Sequence, residues 1–329
     1  MPALRTDPVT GRRVVIAPDR ANRPQEAPRQ PVAGSSGECP FCAGNERLTP
    51  PELLAYRDSA TGRDQPGWTV RVVPNRFPAF GLGRRQRRNR AGLYDSFEAL
   101  GAHEVMIESP EHVTELVDLS AGRFLEIARA YRDRTETLRR DPRSRYVLIY
   151  KNQGASAGAT LEHVHSQIVG MSRLPATARE ELAGARVFYL RRGDCIYCEI
   201  IRAEGLDGAR LVAESHNFVV LCPYASRFAY ETWILPKAHA ARYENASAPE
   251  LEEFASLLRQ TLSRLDRCLE RPPFNYVLHS GYRDAAYYHW HLEILPRVQQ
   301  VAGFEWGSGW FINTKPPEDA ARELRNAFR

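Results

Sequence analysis

No stretch of this sequence approaches the roughly 20 consecutive apolar residues that a membrane-spanning helix needs. The start, MPALRTDPVTGRR, has none of the apolar core of a signal peptide. Those two absences predict a chain that is not membrane-bound and works in the cytoplasm. A large excess of charge of one sign is also missing, since 45 lysines and arginines face 40 aspartates and glutamates, for a net charge of +5. The one dense basic run, RRQRRNR at 84–90, has no interleaved aromatic platform on which bases stack. It reads as a solvated loop, so no nucleic-acid partner is expected, whereas phosphate-bearing small molecules suit the mild positive charge.

What is present starts with length: 329 residues, 43% of them hydrophobic, exceed one ordinary core and predict two domains. Six cysteines in a cytoplasmic chain are not expected to pair as disulfides. Four of them form two CxxC pairs, Cys39/Cys42 in ECPFCAG and Cys195/Cys198 in DCIYCEI, while Cys222 and Cys268 stand alone. Two thiolates do not complete a tetrahedral zinc site, and each pair needs two further donors.

The histidines supply them in a repeating order. His112 follows Cys42 by 70 residues and His163 follows His112 by 51; His239 follows Cys198 by 41 and His289 follows His239 by 50. An internal duplication accounts for this order, with an N-terminal domain over residues 1–184 and a C-terminal one over 185–329. The expected metal sets are Cys39, Cys42, His112 and His163, and Cys195, Cys198, His239 and His289. Closed four-donor sets of this kind hold structural zinc, giving two expected sites. The competing readings are core cysteines beside satisfied histidines, and a redox CxxC, which leaves the repeated histidines unexplained.

YVLIYKN, NYVLH and HLEILP are rich enough in β-branched and aromatic residues for strands. AGRFLEIARAYRDRTETLRR and PELEEFASLLRQTLSRLDRCLE carry apolar residues at helical spacing. Each half therefore reads as strands, a long helix and more strands. In a strand His163 and His165 point to one face.

With His163 on a metal, His165 is free beside the glycine-rich turn NQGASAGAT. Small residues there let backbone N–H groups approach a phosphate, and Thr160 adds a hydroxyl. An imidazole next to a bound phosphate can attack phosphorus in line, splitting a group transfer into two displacements. His165 is the expected nucleophile, and Gln167, on the same strand face, is placed to hydrogen-bond a non-bridging phosphoryl oxygen.

GATLEHVHSQ, with CPFC, VPNRFPAF and ESPEH, resembles the galactose-1-phosphate uridylyltransferase family of the histidine-triad superfamily. DPVTGRRVVIAPDRANRPQE resembles that family's N-terminal segment and VAGFEWGSGWFINTKPPEDAA its C-terminal one, so the likeness runs over nearly the whole chain. The resemblance implies an α+β fold: a duplicated histidine-triad-like unit, mostly antiparallel sheet with helices packed on it. It implies a ping-pong nucleotidyltransferase in which a nucleoside diphosphate sugar such as UDP-glucose gives its nucleotidyl group to His165 and a hexose 1-phosphate collects it. It further implies that Asn75, Asn152, Thr160 and Gln167 contact the nucleotide and its phosphates. By the same resemblance, Arg20 and Arg23 are expected to reach a phosphate from the partner subunit of a homodimer, and Phe304 and Glu305 to lie near the sugar.

Two departures stand out. The family's H-P-H is H-V-H here, which removes a rigid proline. The second metal site of the best-known members uses a glutamate and histidines, whereas Cys195 and Cys198 resemble the two-zinc, ADP-glucose phosphorylase branch, where an adenylyl group passes to inorganic phosphate; the expected metal in the second site of this chain is zinc or iron. Uridylyl transfer is the leading expectation and adenylyl transfer the alternative. Histidine-triad hydrolysis is disfavoured by glutamine at 167, and a non-enzymatic zinc-stabilised nucleotide-binding protein leaves Asn152, Thr160, His165 and Gln167 without a purpose. His291 reads as a buried or metal-adjacent residue rather than a second nucleophile, because YRDAAYYHWH lacks a glycine-rich approach. His103, His216 and His279 read as surface or core polar residues, and Trp306 and Trp310 as packing residues.

Overall fold

The computed structural model describes residues 2–22, 38–57, 60–81, 83 and 88–328. Arg23 and residues 84–87 of the basic run lie outside the described residues. In chain order the strands and helices are β1 Ala3–Thr6, β2 Arg13–Ile16, β3 Leu54–Arg57, β4 Trp68–Pro74, β5 Arg88–Ala91, β6 Tyr94–Phe97, β7 Gly101–Ile107, α1 Ala121–Arg139, β8 Tyr146–Gln153 and β9 His165–Met171. They continue with α2 Ala176–Arg192, α3 Ile196–Asp207, β10 Leu211–Glu214, β11 Phe218–Leu221, β12 Thr232–Pro236, α4 Ala248–Leu269, β13 Phe274–His279, β14 His291–Pro296, α5 Gly303–Ser308, β15 Phe311–Asn313 and α6 Pro317–Asn326.

Ten strands form one antiparallel sheet in the order β3-β4-β7-β9-β8-β13-β14-β12-β11-β10. Read outward from its centre, each side has the same plan: the final hairpin of its half is innermost and the earlier strands follow to the edge. The centre itself is the pairing of β8 with β13, which sets Asn152 opposite Asn275. A smaller sheet orders β1-β2-β15, so the C-terminal strand returns to pair in parallel with the N-terminal hairpin.

The long helices occupy equivalent places before each inner hairpin, and both start where a side chain satisfies an otherwise orphaned helix N–H. Ser120 accepts from Arg123 N–H, and Ser247 and Glu250 form a reciprocal capping box. In α4 the buried residues Leu251, Phe254, Ala255, Leu258, Leu262 and Leu265 recur at helical spacing. They join Phe124, Ile127 and Tyr131 of α1 and Ile149, Ile168, Tyr276 and Ile294 of the sheet in one core that spans both halves. Residues 184 and 185 fall inside α2. Among the described residues no helix is long and apolar enough to cross a membrane.

Candidate functional site

The first cysteine pair sits on a knuckle held by its own neighbours. Cys42 N–H donates to the Cys39 carbonyl at 3.3 Å, Asn45 N–H to the Cys42 carbonyl at 3.1 Å, and the Asn45 amide to the Cys39 carbonyl at 2.8 Å. Gly44 has φ +94°, a region open to glycine, and its N–H reaches Glu46, which also accepts from Trp68 Nε1 at 2.7 Å. The second pair is built differently: Cys195 is the N-cap of α3 and Cys198 lies in its first turn.

Cys39, Cys42, His112 and His163 bring their donor atoms within 4.8 Å of one another, as do Cys195, Cys198, His239 and His289. Sulfur-to-nitrogen separations are 3.5 Å for Cys39–His163 and Cys42–His112 and 3.7 Å for Cys42–His163. In the other cluster they are 3.5 Å for Cys198–His239 and 3.6 Å for Cys198–His289. A tetrahedral zinc ion with ordinary Zn–S and Zn–N bonds requires such edges to be about 3.5 Å. The nitrogen facing the sulfurs is Nδ1 each time. His163 Nε2–H donates to the Ser109 carbonyl and His289 Nε2–H to the Pro236 carbonyl, both at 2.8 Å, leaving the Nδ1 lone pairs free for a metal. Burial pulls the His163 imidazole down to about 4, against the Ser109 hydrogen bond, and keeps it neutral as a ligand must be. The donor sets fit zinc.

The strand begins at His165, not before it, so His163 stands in the preceding bend and the two rings have separate tasks. His165 is buried, with 8% exposure, and its Nδ1–H donates to the His163 carbonyl at 2.7 Å. A carbonyl only accepts, so the proton is on Nδ1 and the Nε2 lone pair is available for attack. Burial and the nearby Lys151 ammonium both lower the imidazole's affinity for a proton, which keeps that lone pair free. Phe41 stands edge-on to the ring at 5.3 Å. On the opposite side of the sheet the fully buried Lys151 Nζ donates to Glu108 at 2.5 Å and to the His165 carbonyl at 2.9 Å.

Gln167 shares the face of His165, two residues along β9. Its Oε1 accepts from Tyr150 OH at 2.9 Å and lies 2.7 Å from His103 Nε2. His103 Nδ1 accepts the Ala79 N–H at 3.0 Å, which puts the ring proton on Nε2 and makes it a second donor to Gln167. The Gln167 oxygen is thus spent inside the protein and its NH₂ group is the free end. His103 is therefore more than the surface or core polar residue that its sequence context predicts. Asn75, 3.2 Å from the same ring, likewise has its oxygen occupied by Phe77 N–H at 2.8 Å.

The glycine-rich turn differs from expectation. Ala157, Gly158 and Ala159 N–H donate to the carbonyls of Gly154 and Ala155, so these three amides close the turn. Thr160 is exposed in the loop beyond. Arg20 sits on a short turn, Pro18–Asn22, after β2. Phe304 and Glu305 lie on α5, which precedes β15; these three residues thus flank strands of the small sheet in sequence, whereas His165 and Gln167 are on β9 of the large one. Trp306 is 80% exposed and Trp310 37%, so neither packs into a core.

The second half contains the structural counterpart of His165. His291 Nδ1–H donates to the His289 carbonyl at 3.1 Å, but the ring is enclosed by His279 at 4.7 Å, Tyr197 at 5.0 Å and Trp233 at 5.3 Å. It is 1% exposed and has no open face for a substrate. His279 is a buried polar residue, as its sequence context predicts, and lies between Glu181 at 3.1 Å and Glu293 at 3.4 Å. Glu181, His279 and His291 also bring donor atoms within 4.8 Å of one another.

The family profile described as galactose-1-phosphate uridyl transferase, N-terminal domain, matches residues 1–175, and one described as a domain of unknown function matches residues 126–328. The chain is 33% identical to ADP-glucose phosphorylase of Arabidopsis thaliana over 98% of its length and 92% of that protein's. It is 28% identical to galactose-1-phosphate uridylyltransferase of Thermotoga maritima over 99% and 98%. The crystal structure of the Arabidopsis thaliana ADP-glucose phosphorylase with bound ADP-glucose superposes with a TM-score of 0.84 at 32% identity, covering 99% of this chain and 98% of that one. A uridylyltransferase structure superposes with a TM-score of 0.77 at 28% identity, covering 99% and 98%. With its profile match, its full-length relatives and the duplicated antiparallel fold, the chain belongs to the galactose-1-phosphate uridylyltransferase family.

Proposed function

We propose that the chain is a nucleotidyltransferase that works through a nucleotidyl-histidine at His165. The observation that carries this reading is the Nδ1–H bond from His165 to the His163 carbonyl, which presents an unprotonated Nε2 beside the free NH₂ of Gln167. His165 Nε2 attacks the α-phosphorus of a nucleoside diphosphate hexose. The bond from that phosphorus to the bridging oxygen breaks, and hexose 1-phosphate leaves with the electron pair. In the second displacement an acceptor phosphate oxygen attacks the same phosphorus and the N–P bond breaks, returning its electron pair to Nε2. Gln167 donates to a non-bridging oxygen in both steps, and Asn75, Asn152 and Thr160 hold the nucleotide and its phosphates.

UDP-glucose as donor and a hexose 1-phosphate such as galactose 1-phosphate as acceptor follow from the family. A second reading, ADP-glucose with inorganic phosphate as acceptor, is favoured by the second Cys₂His₂ set and by the 33% identity to ADP-glucose phosphorylase. Zinc held by the two Cys₂His₂ sets supplies structural cross-links and positive charge, with iron the other candidate for the second site. The proposed domains are residues 1–184 and 185–329. Arg20 and Arg23 serve a partner's site in a homodimer, with Phe304 and Glu305 at the sugar. The cytoplasm, which keeps thiols reduced, is the proposed location.

An intact-protein mass spectrum after separate incubation with UDP-glucose and ADP-glucose, without acceptor, tests this. A uridylyl adduct supports the first donor, an adenylyl adduct alone the second, and no adduct from either rejects the covalent mechanism. His165→Gly is expected to abolish the adduct and leave the melting temperature within a few degrees of wild type.

A further inference from the structure

The half of the chain without an accessible nucleophile has a direct contact with a residue of the proposed nucleotide site. Asn275 in β13 lies opposite Asn152 in β8 at the central seam of the sheet. Its Nδ2 donates to Asn152 Oδ1 and to the Ala157 carbonyl, both at 2.8 Å, and its Oδ1 accepts from Arg297 Nε. The Asn275 side chain is more than nine-tenths buried, with 8% exposure. Arg297 is held by its own N–H to the Pro273 carbonyl at 2.7 Å and by its guanidinium over Phe228 at 4.6 Å.

The direction of this chain of bonds is fixed at both ends. A guanidinium N–H can only donate and a backbone carbonyl can only accept. Asn275 must therefore turn its oxygen to Arg297 and its NH₂ to Ala157 and Asn152, and the Asn152 oxygen must accept. The remaining end of Asn152, its NH₂, is 3.5 Å from the Gly158 carbonyl, at the outer limit of a hydrogen bond, and is available as a donor.

We infer that Asn275 and Arg297 are positioning residues that hold the Asn152 amide with its donor end toward the nucleotide phosphates. This rests on the nucleotide-site reading of Asn152. A flipped Asn152 presents a lone pair to an anion instead of two N–H groups, so the relay sets the sign of that contact. It also gives the second half a part in the site besides packing. The arrangement parallels Gln167, whose oxygen is occupied by Tyr150 and His103.

The test uses Asn275→Asp and Asn275→Ala in the full-length protein. Aspartate has the shape of asparagine and a partner in Arg297, but it only accepts, so Asn152 must turn its NH₂ inward and its oxygen outward. Calorimetric titration with UDP and with ADP is expected to show Asn275→Asp binding about tenfold more weakly than wild type and Asn275→Ala about threefold more weakly. A packing role gives the reverse order, with the isosteric variant closer to wild type, and that order overturns the inference. So does equal binding by all three proteins, or failure of wild type to bind either nucleotide. Should Asn275→Asp not fold, Arg297→Lys, which keeps an obligate donor, is expected to hold affinity while Arg297→Met loses several-fold; equal affinities overturn the relay. Binding needs no chemistry, so failure of covalent labelling in wild type rejects the transferase reading without touching this order.

Discussion

His103 Nε2 lies 2.7 Å from Gln167 Oε1, and this contact, with the Tyr150 hydroxyl on the same oxygen, decides that the NH₂ end of Gln167 is the one left to donate. An amide with a saturated oxygen has only N–H donors left to offer, which is the end that the proposed transfer at His165 requires.

Gln167→Glu replaces that donor with an acceptor and is expected to slow nucleotidylation by about 10²- to 10³-fold, the usual cost of losing one charge-stabilising donor. Tyr150→Phe removes one of the two bonds on the oxygen and is expected to cost about 1 kcal/mol, roughly fivefold. Rapid-quench measurement of adduct formation checks both. A Gln167→Glu enzyme with more than a tenth of the wild-type rate contradicts the donor role.

Cys39→Ser is expected to lose one metal ion per chain and to destabilise the fold by more than about 4 kcal/mol, since an ion held by the proposed set would join the knuckle, His112 and the segment leading into β9. Elemental analysis together with a denaturant melt reads both effects. Two bound zinc ions per mutant chain sink the ligand assignment.

The His279 imidazole is opposed by burial, yet the flanking Glu181 and Glu293 carboxylates push it up to about 10. Arg227 shares Glu293, Tyr288 donates to Glu181 at 2.9 Å, and His291 stacks on the ring. A folded-state value above the unfolded value of about 6.5 means that this charge contributes its full stability below pH 6.5. The contribution is lost as pH rises toward 10. Urea unfolding at pH 6, 8 and 10 is expected to show this decline, and Glu181→Gln to shift the loss to lower pH. A flat or rising profile in the wild type shows that His279 is neutral in the folded protein.

Much of the chemistry was legible in one dimension. CxxC followed by histidines in the same order, with the last interval 51 residues in one half and 50 in the other, pointed to both donor sets and the duplication, because metal ligands are few in type and a repeat preserves their order. Apolar residues at helical spacing identified α1 and α4, and the H-x-H pair gave His165 as the residue left over once His163 was assigned to a metal. Local chemistry sufficed for each.

Other features had to wait for strand register. His103 is 64 residues from Gln167, Asn152 is 123 from Asn275, and Glu181 is 98 from His279. Nothing in the composition around His103 or Asn275 marks either as unusual. Their roles come from which residue lies opposite or diagonal across a ten-stranded sheet and from which end of each amide is already occupied. The sequence by itself determined which cysteines and histidines could form two donor sets, the histidine proposed as nucleophile and the repeated architecture. The tertiary structure alone decided the orientation of the amides and the closure of the ring faces around His291, because hydrogen-bond direction and burial depend on neighbours that only folding brings together.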